Sequence, residues 1–172
     1  MASAAHVRLF IALWPPDAVR AALASWQATW QWPERAAVVR PERLHVTLHF
    51  LGAVPSSTVL DLKHVLQIPT PAFDLHFGTP EMWQHGTAVV RPESSPTALR
   101  ALHARIGLAL ASIGLKVESR PFRPHVTLAR KATGAAPPPQ PADIAWTAKD
   151  GFVLVQTLGA GRGYEILGRF GR

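Results

Sequence analysis

The sequence predicts an α+β domain made of two similar lobes: two mainly antiparallel sheets in a pseudo-two-fold duplication, with helices outside and a central groove. The first observation is an internal repeat, because residues 40–48 return as residues 120–128 with seven of nine positions identical. Both copies read Arg-Pro-x-Arg-x-His-Val-Thr-Leu. The second observation is that most apolar segments are short and alternate with polar residues, which favours strands over helices.

The repeat extends well beyond the nine aligned positions. Twenty-nine positions separate Pro16 from His45, and the same number separates Pro96 from His125. Each copy therefore predicts the same order of strand, helix, short strand and motif strand. The period of 80 residues is longer than that of solenoid repeats, so we predict a duplication into two lobes and not an array.

The first half opens with an apolar run at residues 7–13 that predicts a buried strand. Pro16 and Asp17 then predict a helix start, because proline fits the first turn and an acid there complements the helix dipole. Apolar residues at helical spacing predict that this helix continues until Pro33 ends it. These residues are Val19, Leu23, Trp26 and Trp30. The remaining predictions are a strand at 37–39, the motif strand at 44–51, a helix at 56–66 and a strand at 72–77.

The second half begins with a predicted strand at 87–91, and Ser95 followed by Pro96 predicts the next helix start. Five apolar residues at helical spacing support this helix, and Gly114 suits its C-terminal cap. They are Leu99, Leu102, Ile106, Leu110 and Ile113. The remaining predictions are a strand at 115–117, a loop at 133–141, strands at 144–147, 151–158 and 164–170, and a turn at 159–163.

Composition restricts the class of protein. The 172 residues are 48% hydrophobic, which suits one compact domain over residues 1–172, with one His-x-Thr-x motif at 45–48 and the other at 125–128. The lack of cysteine excludes disulfide scaffolds and thiolate sites, and no apolar run reaches the ~18 residues of a membrane span. We therefore expect a cytoplasmic protein without membrane association. A formal net charge of +7, with 14 arginines, favours anionic partners such as nucleic acid.

The motif itself alternates in a way that predicts two chemically distinct faces. His45, Thr47 and His49 share one parity, and a strand places residues i and i+2 on the same face. The apolar residues of the other parity are Leu44, Val46, Leu48 and Phe50. His125 and Thr127 repeat the polar pair, so we expect one histidine and one threonine from each lobe to face the groove.

Two facing histidines suit general acid and general base catalysis. An imidazole has an unperturbed pKa of about 6.5, so both protonation states are available near neutral pH. The hydroxyls of Thr47 and Thr127 can hold oxygens of a phosphate between the two rings. This combination predicts in-line attack at phosphorus without a metal. The sequence alone leaves open whether His45 or His125 is the acid.

A zinc site is the main chemical alternative for the first motif. His45 and His49 have the i, i+4 spacing of a zinc-binding helix, but Val46 stands where a glutamate base is needed. On a strand, positions i and i+4 lie about 13 Å apart, too far for one metal. The second copy has Ala129 at the place of His49. We therefore disfavour zinc and expect His49 at the groove edge or exposed.

Several other side chains are candidates for substrate contact. Four arginines precede the motif strands, where they can contact phosphate or pair with acids: Arg40, Arg43, Arg120 and Arg123. Arg130 ends the second motif on the buried parity, so it reaches the groove only if the strand bends. Phe10, Phe50, His85 and Tyr164 are further candidates for lining the groove. The histidines outside the motifs are expected on the surface: His6, His64, His76 and His103.

At these residues the chain resembles the 2H phosphoesterase superfamily, and within it the bacterial and archaeal RNA 2′,3′-cyclic phosphodiesterases, also called 2′-5′ RNA ligases. The similar stretches are residues 8–13, 40–52, 122–130, 152–157 and 164–170. The resemblance implies hydrolysis of RNA 2′,3′-cyclic phosphate ends to 2′-phosphates without metal or cofactor. It implies that His45 is the proton donor, that His125 is the proton acceptor, and that Thr47 and Thr127 hold the nonbridging oxygens. We expect a monomer.

Other activities compatible with the same residues remain open. The substrate could be a small cyclic nucleotide, an ADP-ribose cyclic phosphate or a 2′-5′ linkage, with ligation as a side activity. A non-catalytic RNA-binding module is the alternative from a different class, and the intact His and Thr pairs disfavour it.

Overall fold

The computed structural model describes residues 4–172, which form nine strands and three α-helices. The strands are β1 His6–Leu13, β2 Ala37–Val38, β3 Val46–Pro55, β4 Phe73–Trp83, β5 Thr87–Pro92, β6 Val126–Arg130, β7 Ile144–Ala148, β8 Phe152–Leu158 and β9 Gly163–Phe170. The helices are α1 Asp17–Gln27, α2 Thr58–Val65 and α3 Thr97–Ser112. The predicted α+β class is confirmed.

All strands pair antiparallel in one sheet of nine strands, in the order β7-β4-β5-β6-β3-β1-β8-β9, with β2 added on β6. The prediction of two separate sheets is therefore wrong, because hydrogen bonds join all nine strands into one sheet. The two motif strands, β3 and β6, are neighbours, and the pairing of Val46 with Val126 joins the two halves. Because that bridge continues the backbone ladder from one half to the other, the two expected sheets become one.

Each motif strand has the first strand of its own half as its outer neighbour. From β3 the neighbours are β1, β8 and β9, and from β6 they are β5, β4 and β7. The motif strands begin 80 residues apart, and each is flanked by the strand that opens its own half. As a result, both His-x-Thr motifs lie side by side at the centre of the sheet.

The helices cover one face of the sheet and leave the other face for the motif side chains. Leu23 of α1, Leu62 of α2 and Leu99 of α3 are fully buried and belong to one large core with the inward-facing strand residues. Burial of each leucine contributes about 1.5–3 kcal/mol. A smaller cluster, which includes Phe10 and Val155, is separate from that core. Phe10 alternates with core residues along β1, so this cluster lies on the opposite face.

Two element predictions need correction. Helix α1 ends at Gln27, not at Pro33; Trp30 lies in the turn that follows but is still buried, packed edge-on against Trp26. The predicted strand at 115–117 is absent, since the Leu115 amide bonds back to the end of α3 and the segment adds to no ladder. Within residues 4–172, no helix has the length and apolar character needed to cross a bilayer.

Candidate active site

The first motif strand contains a β-bulge that changes which side chains face the groove. Ile11 pairs with His49 and the next residue, Ala12, pairs with Thr47, so Leu48 is the extra residue on β3. A bulge reverses the alternation of faces beyond it. His49 therefore turns toward the helices, and strict alternation from Thr47 onwards no longer applies.

The second motif strand contains the same bulge at the equivalent residue. Ala88 pairs with Ala129 and Val89 pairs with Thr127, so Leu128 is the extra residue on β6. The burial of residues 44–50 and 124–130 follows one identical pattern, position by position.

The two bulges bring one large side chain per strand back to the groove face. Phe50 is 51% exposed, and its ring is stacked on that of Phe10 with 6.0 Å between the centroids. Arg130 occupies the matching position on β6 and is also exposed. The assignment of Phe50 to the buried parity is thus wrong, and its position on the groove face agrees with the alternative that it lines the groove. The bend that Arg130 needs to reach the groove is present.

The prediction that His49 lies at the groove edge or is exposed is also wrong. Its side chain is 5% exposed and its Nε2 atom lies 2.8 Å from the carbonyl oxygen of His103 on α3. The two rings stack with centroids 4.1 Å apart, and His103 stacks in turn on Phe122, so His103 is partly buried and not fully exposed as expected. Since His45 and His49 face opposite sides of the sheet, they cannot share a zinc ion.

A buried polar side chain supports the bulge of the second motif strand from the helix side. Gln27 of α1 is 4% exposed and donates its amide to the carbonyl oxygens of Leu128, at 2.8 Å, and Val39, at 2.9 Å. Because an unpaired buried carbonyl costs about 1–3 kcal/mol, this pairing stabilises the bulge at Leu128. Gln27 was missed from the sequence, although it lies four residues after Leu23 on the buried stripe of the helix.

The two catalytic candidates have matching hydrogen bonds. The Nδ1 atom of His45 lies 2.6 Å from the carbonyl oxygen of Arg43, and that of His125 lies 2.8 Å from the carbonyl oxygen of Arg123. A carbonyl oxygen only accepts, so Nδ1 carries the hydrogen in both rings. Each Nε2 atom is therefore the one free to exchange a proton. The Nε2 atom of His45 also lies 3.0 Å from the hydroxyl of Thr47.

The bridge between the motif strands sets how the four polar side chains meet. When the antiparallel pairing of Val46 with Val126 is extended by one residue, His45 lies opposite Thr127 and Thr47 lies opposite His125. In this register His45 and His125 are diagonal neighbours, and diagonal neighbours in a sheet are roughly 7–8 Å apart. All four have the same parity relative to the bridge, so they occupy one patch of the groove face.

Aromatic rings hold the His45 side of the patch. Phe10 and Trp14 stack on the imidazole, with centroids 4.9 and 5.4 Å away, and Tyr164 packs edge-on at 5.7 Å. On the His125 side, the ring centroid of Trp83 lies 4.3 Å from that of His125. These contacts restrict both imidazoles and reduce their contact with water.

The pKa values of both imidazoles are depressed by this environment. Burial lowers the pKa of His45 to about 4; the hydrogen bond to Arg43 opposes this, while the charges of His125 and Arg130 add to it. Burial is also the largest cause that lowers the pKa of His125, and Arg130 is the strongest of the cations that contribute. Both rings are therefore mostly neutral at pH 7 in the free protein, and a phosphate anion beside them would raise both pKa values.

The five candidate arginines divide into different environments. Arg130 is exposed at the end of β6, where the bulge turns it toward the groove, and its charge lowers the pKa of both imidazoles. Arg43 donates to the carbonyl of Gly161 at 2.8 Å, and its guanidinium lies 5.8 Å from the centre of the Tyr164 ring.

The remaining arginines differ in how they are paired. Arg123 lies over the ring of Trp83 at 4.7 Å and bonds Glu81 at 3.3 Å. Arg40 is exposed in a depression beside His45. Arg120 instead pairs with Glu118 at 2.9 Å and lines a different depression, so the structure does not bring it to the imidazoles.

Metal-binding side chains do not converge in the part of the chain that the structure describes. Within residues 4–172, no three side chains of His, Cys, Asp or Glu lie close enough together to hold an ion. His76, the histidine with two acidic partners, bonds Glu93 and Asp143 on the surface, away from the motifs.

Comparison with known proteins gives consistent results. A sequence model described as the 2′-5′ RNA ligase superfamily matches residues 15–153, a span that contains both motifs. The chain is 32% identical over 136 residues to the RNA 2′,3′-cyclic phosphodiesterase of Escherichia coli K12, covering 78% of this chain and 77% of the relative. It is 31% identical over 181 residues to the protein of that name from Thermus thermophilus, covering 95% and 89%.

The fold is also similar to that of a solved relative. The crystal structure of E. coli LigT complexed with 3′-AMP superimposes with a TM-score of 0.85 at 29% identity, covering 96% of this chain and 98% of that one. The match in sequence spans both histidine motifs, and the match in structure covers 96% of the chain. The chain therefore belongs to the 2′-5′ RNA ligase superfamily.

Proposed function

We propose that this protein is a metal-independent phosphodiesterase that hydrolyses the 2′,3′-cyclic phosphate at the end of an RNA to a 2′-phosphate. The observation that carries the proposal is the matched pair of imidazoles. His45 and His125 immediately precede the adjacent strands β3 and β6, and each ring has the same hydrogen bond at Nδ1, which leaves its Nε2 atom free. The relatives named RNA 2′,3′-cyclic phosphodiesterase support the choice of substrate.

The reaction needs one base and one acid on opposite sides of phosphorus. Water attacks phosphorus while Nε2 of His125 accepts its proton, and the bond from phosphorus to O3′ breaks. Nε2 of His45, protonated at the start, donates its proton to O3′ as this oxygen leaves. The products are the 2′-phosphate and a free 3′-hydroxyl, and the two rings have exchanged protonation states. The diagonal placement of the rings leaves space for the phosphate between them.

Charge on the nonbridging oxygens is stabilised by the neighbours of the two rings. The hydroxyls of Thr47 and Thr127 lie on the same patch and can each donate to one oxygen. Arg130 supplies a positive charge that acts on both rings. Preorganised donors of this kind act where negative charge develops in the transition state, and they need no rearrangement at that moment.

We also infer that residues 1–172 form one domain that arose by duplication of a strand–helix–strand unit. The equivalent positions of β1 beside β3 and of β5 beside β6, and the identical burial of residues 44–50 and 124–130, support this inference. The duplication supplies one His and one Thr from each half to the site.

A second candidate substrate is a small cyclic nucleotide or an ADP-ribose cyclic phosphate. The similarity to LigT, which was crystallised with 3′-AMP, favours a groove that accepts a single nucleotide. The chemistry at phosphorus would be unchanged, and ligation through a 2′-5′ linkage would be the reverse of a related step.

The proposal is tested by incubating the purified protein with 2′,3′-cyclic AMP in the presence of excess EDTA. We expect conversion to 2′-AMP, identified by chromatography against 2′-AMP and 3′-AMP standards, at the same rate with and without the chelator. Formation of 3′-AMP would contradict the assignment of the leaving oxygen. Loss of activity in EDTA that Zn²⁺ or Mn²⁺ restores would contradict the metal-independent mechanism.

A further inference from the structure

The groove continues on the His45 side into an open depression of about 300 Å³. Trp14 and Tyr164, which pack on the His45 ring, form part of its wall. Three arginines line the same depression: Arg40, Arg43 and Arg162. A concave surface that combines aromatic rings with guanidinium groups has the composition of a nucleotide-binding site, because rings stack on bases and arginine binds phosphate.

Hydrogen bonds hold two arginines of this depression in position, and no acid among the described residues neutralises their charge. Arg43 is held by the Gly161 carbonyl and by the Tyr164 ring, and the Nε atom of Arg162 donates to the Gly159 carbonyl at 3.0 Å. Carbonyl partners fix a guanidinium without cancelling its charge. Among residues 4–172 none of the three arginines forms an ion pair with an acid, and Glu42 is the one carboxylate in the lining.

The opposite side of the groove, next to His125, has a different charge balance. Glu81 accepts hydrogen bonds from Trp83, from Arg91 at 3.1 Å and from Arg123 at 3.3 Å. The bond from Trp83, followed by those cations, lowers the pKa of Glu81, so the carboxylate stays charged at neutral pH. One acid thus offsets part of the positive charge beside His125, whereas the depression beside His45 keeps an excess of two positive charges, from three arginines and one glutamate.

This asymmetry matches the geometry of the proposed reaction. In an in-line displacement, the water and the leaving oxygen lie on opposite sides of phosphorus. The leaving O3′ belongs to the ribose, so the RNA extends from the side of the acid, and the water enters from the side of the base. With His45 as the acid, the chain that precedes the terminal nucleotide is directed toward the depression beside His45.

We propose that this depression binds the penultimate nucleotide of the RNA, and that the enzyme therefore prefers RNA ends to cyclic mononucleotides. Arg40 and Arg162 would contact the phosphate that links the last two nucleotides. The rings of Trp14 and Tyr164, which line the depression, would contact the penultimate base. The inference rests on the proposed function and adds to it a second nucleotide subsite, which no comparison assigns.

The test compares kcat/KM for 2′,3′-cyclic AMP with kcat/KM for the dinucleotide ApA that ends in a 2′,3′-cyclic phosphate. For the wild-type protein we expect the dinucleotide to be the better substrate by about tenfold or more, the gain from one good phosphate or stacking contact. In the double variant Arg40→Ala/Arg162→Ala this ratio should fall toward one. The slope of log kcat/KM against log salt concentration for the dinucleotide should also become shallower.

A charge-matched control separates local binding from general attraction. The double variant Lys63→Ala/Arg100→Ala removes the same number of positive charges from exposed positions on α2 and α3. It should keep the wild-type ratio between the two substrates. A control variant that loses the preference as strongly as Arg40→Ala/Arg162→Ala would overturn the subsite in favour of unspecific electrostatic attraction.

The failures of the two proposals are distinguishable. A wild-type protein that hydrolyses both substrates with equal kcat/KM would refute the second subsite and leave the proposed function intact. A protein that hydrolyses neither would refute the proposed function itself.

Discussion

His45→Ala and His125→Ala are each expected to lower kcat/KM for a 2′,3′-cyclic nucleotide by about 10³-fold. General acid and general base catalysis each typically contribute 10²–10⁴-fold, and alanine removes the Nε2 atom that carries the proton. The two rings act in one step, so the double variant should be little slower than either single variant. Steady-state hydrolysis of 2′,3′-cyclic AMP, with circular dichroism to establish folding, measures these effects.

His64→Ala provides the matched control for these substitutions, because His64 is exposed on α2 and distant in sequence from both motifs. Its kcat/KM should stay within twofold of the wild-type value. Near-normal turnover in either motif variant, with the fold intact, would show that the reaction does not use that ring.

Arg130→Ala is expected to lower kcat/KM by about 10²–10³-fold, the range found when one preorganised charge-stabilising donor is removed. Arg130 is the cation that acts on both imidazoles, and the bulge at Leu128 turns it toward the groove. Arg130→Lys should recover only part of the activity, because lysine keeps the charge but loses the planar, bidentate geometry. The measurement is again steady-state hydrolysis of 2′,3′-cyclic AMP.

Arg120→Ala is the control for Arg130, since Arg120 belongs to the repeated motif but forms an exposed pair with Glu118. Because Arg120 lines a different depression from the one beside His45, we expect less than a twofold change in kcat/KM. Equal losses in the Arg120 and Arg130 variants would contradict the special position of Arg130.

The sequence was sufficient to predict the two histidine and threonine pairs because the repeat and the alternation of faces are local properties. His45 and Thr47 precede the bulge at Leu48, and His125 and Thr127 precede the bulge at Leu128, so alternation assigns them to the correct face. The α+β class follows from the same short alternating segments.

The bulges were not predictable from the sequence, and the errors at the site follow from them. His49, Phe50 and Arg130 all lie beyond a bulge, and strict alternation assigns each to the wrong face. The partner that holds the bulge at Leu128 is distant in sequence: Gln27 bonds Leu128 across 101 positions. Contacts of such long range have no signature in a local pattern.

The connectivity of the sheet illustrates the same limit. Periodicity predicts where strands occur but not which strands pair, and the single bridge between Val46 and Val126 decides whether the halves form two sheets or one. The end of α1 at Gln27 was missed for a related reason. Trp30 continues the helical spacing of buried residues, although it reaches the core from a turn.

The pH dependence of kcat/KM tests most directly whether two imidazoles act as an acid–base pair. This parameter reports the free enzyme, in which one ring must be neutral and the other protonated. Both pKa values lie below the ordinary 6.5, that of His45 at about 4, so the singly protonated pair is most abundant below pH 6.5. We predict a bell-shaped profile for 2′,3′-cyclic AMP with its maximum between about pH 4 and 6.5, and a tenfold decrease per pH unit on the alkaline side. A profile that is flat from pH 5 to 8, or that keeps rising above pH 7, would contradict catalysis by this pair.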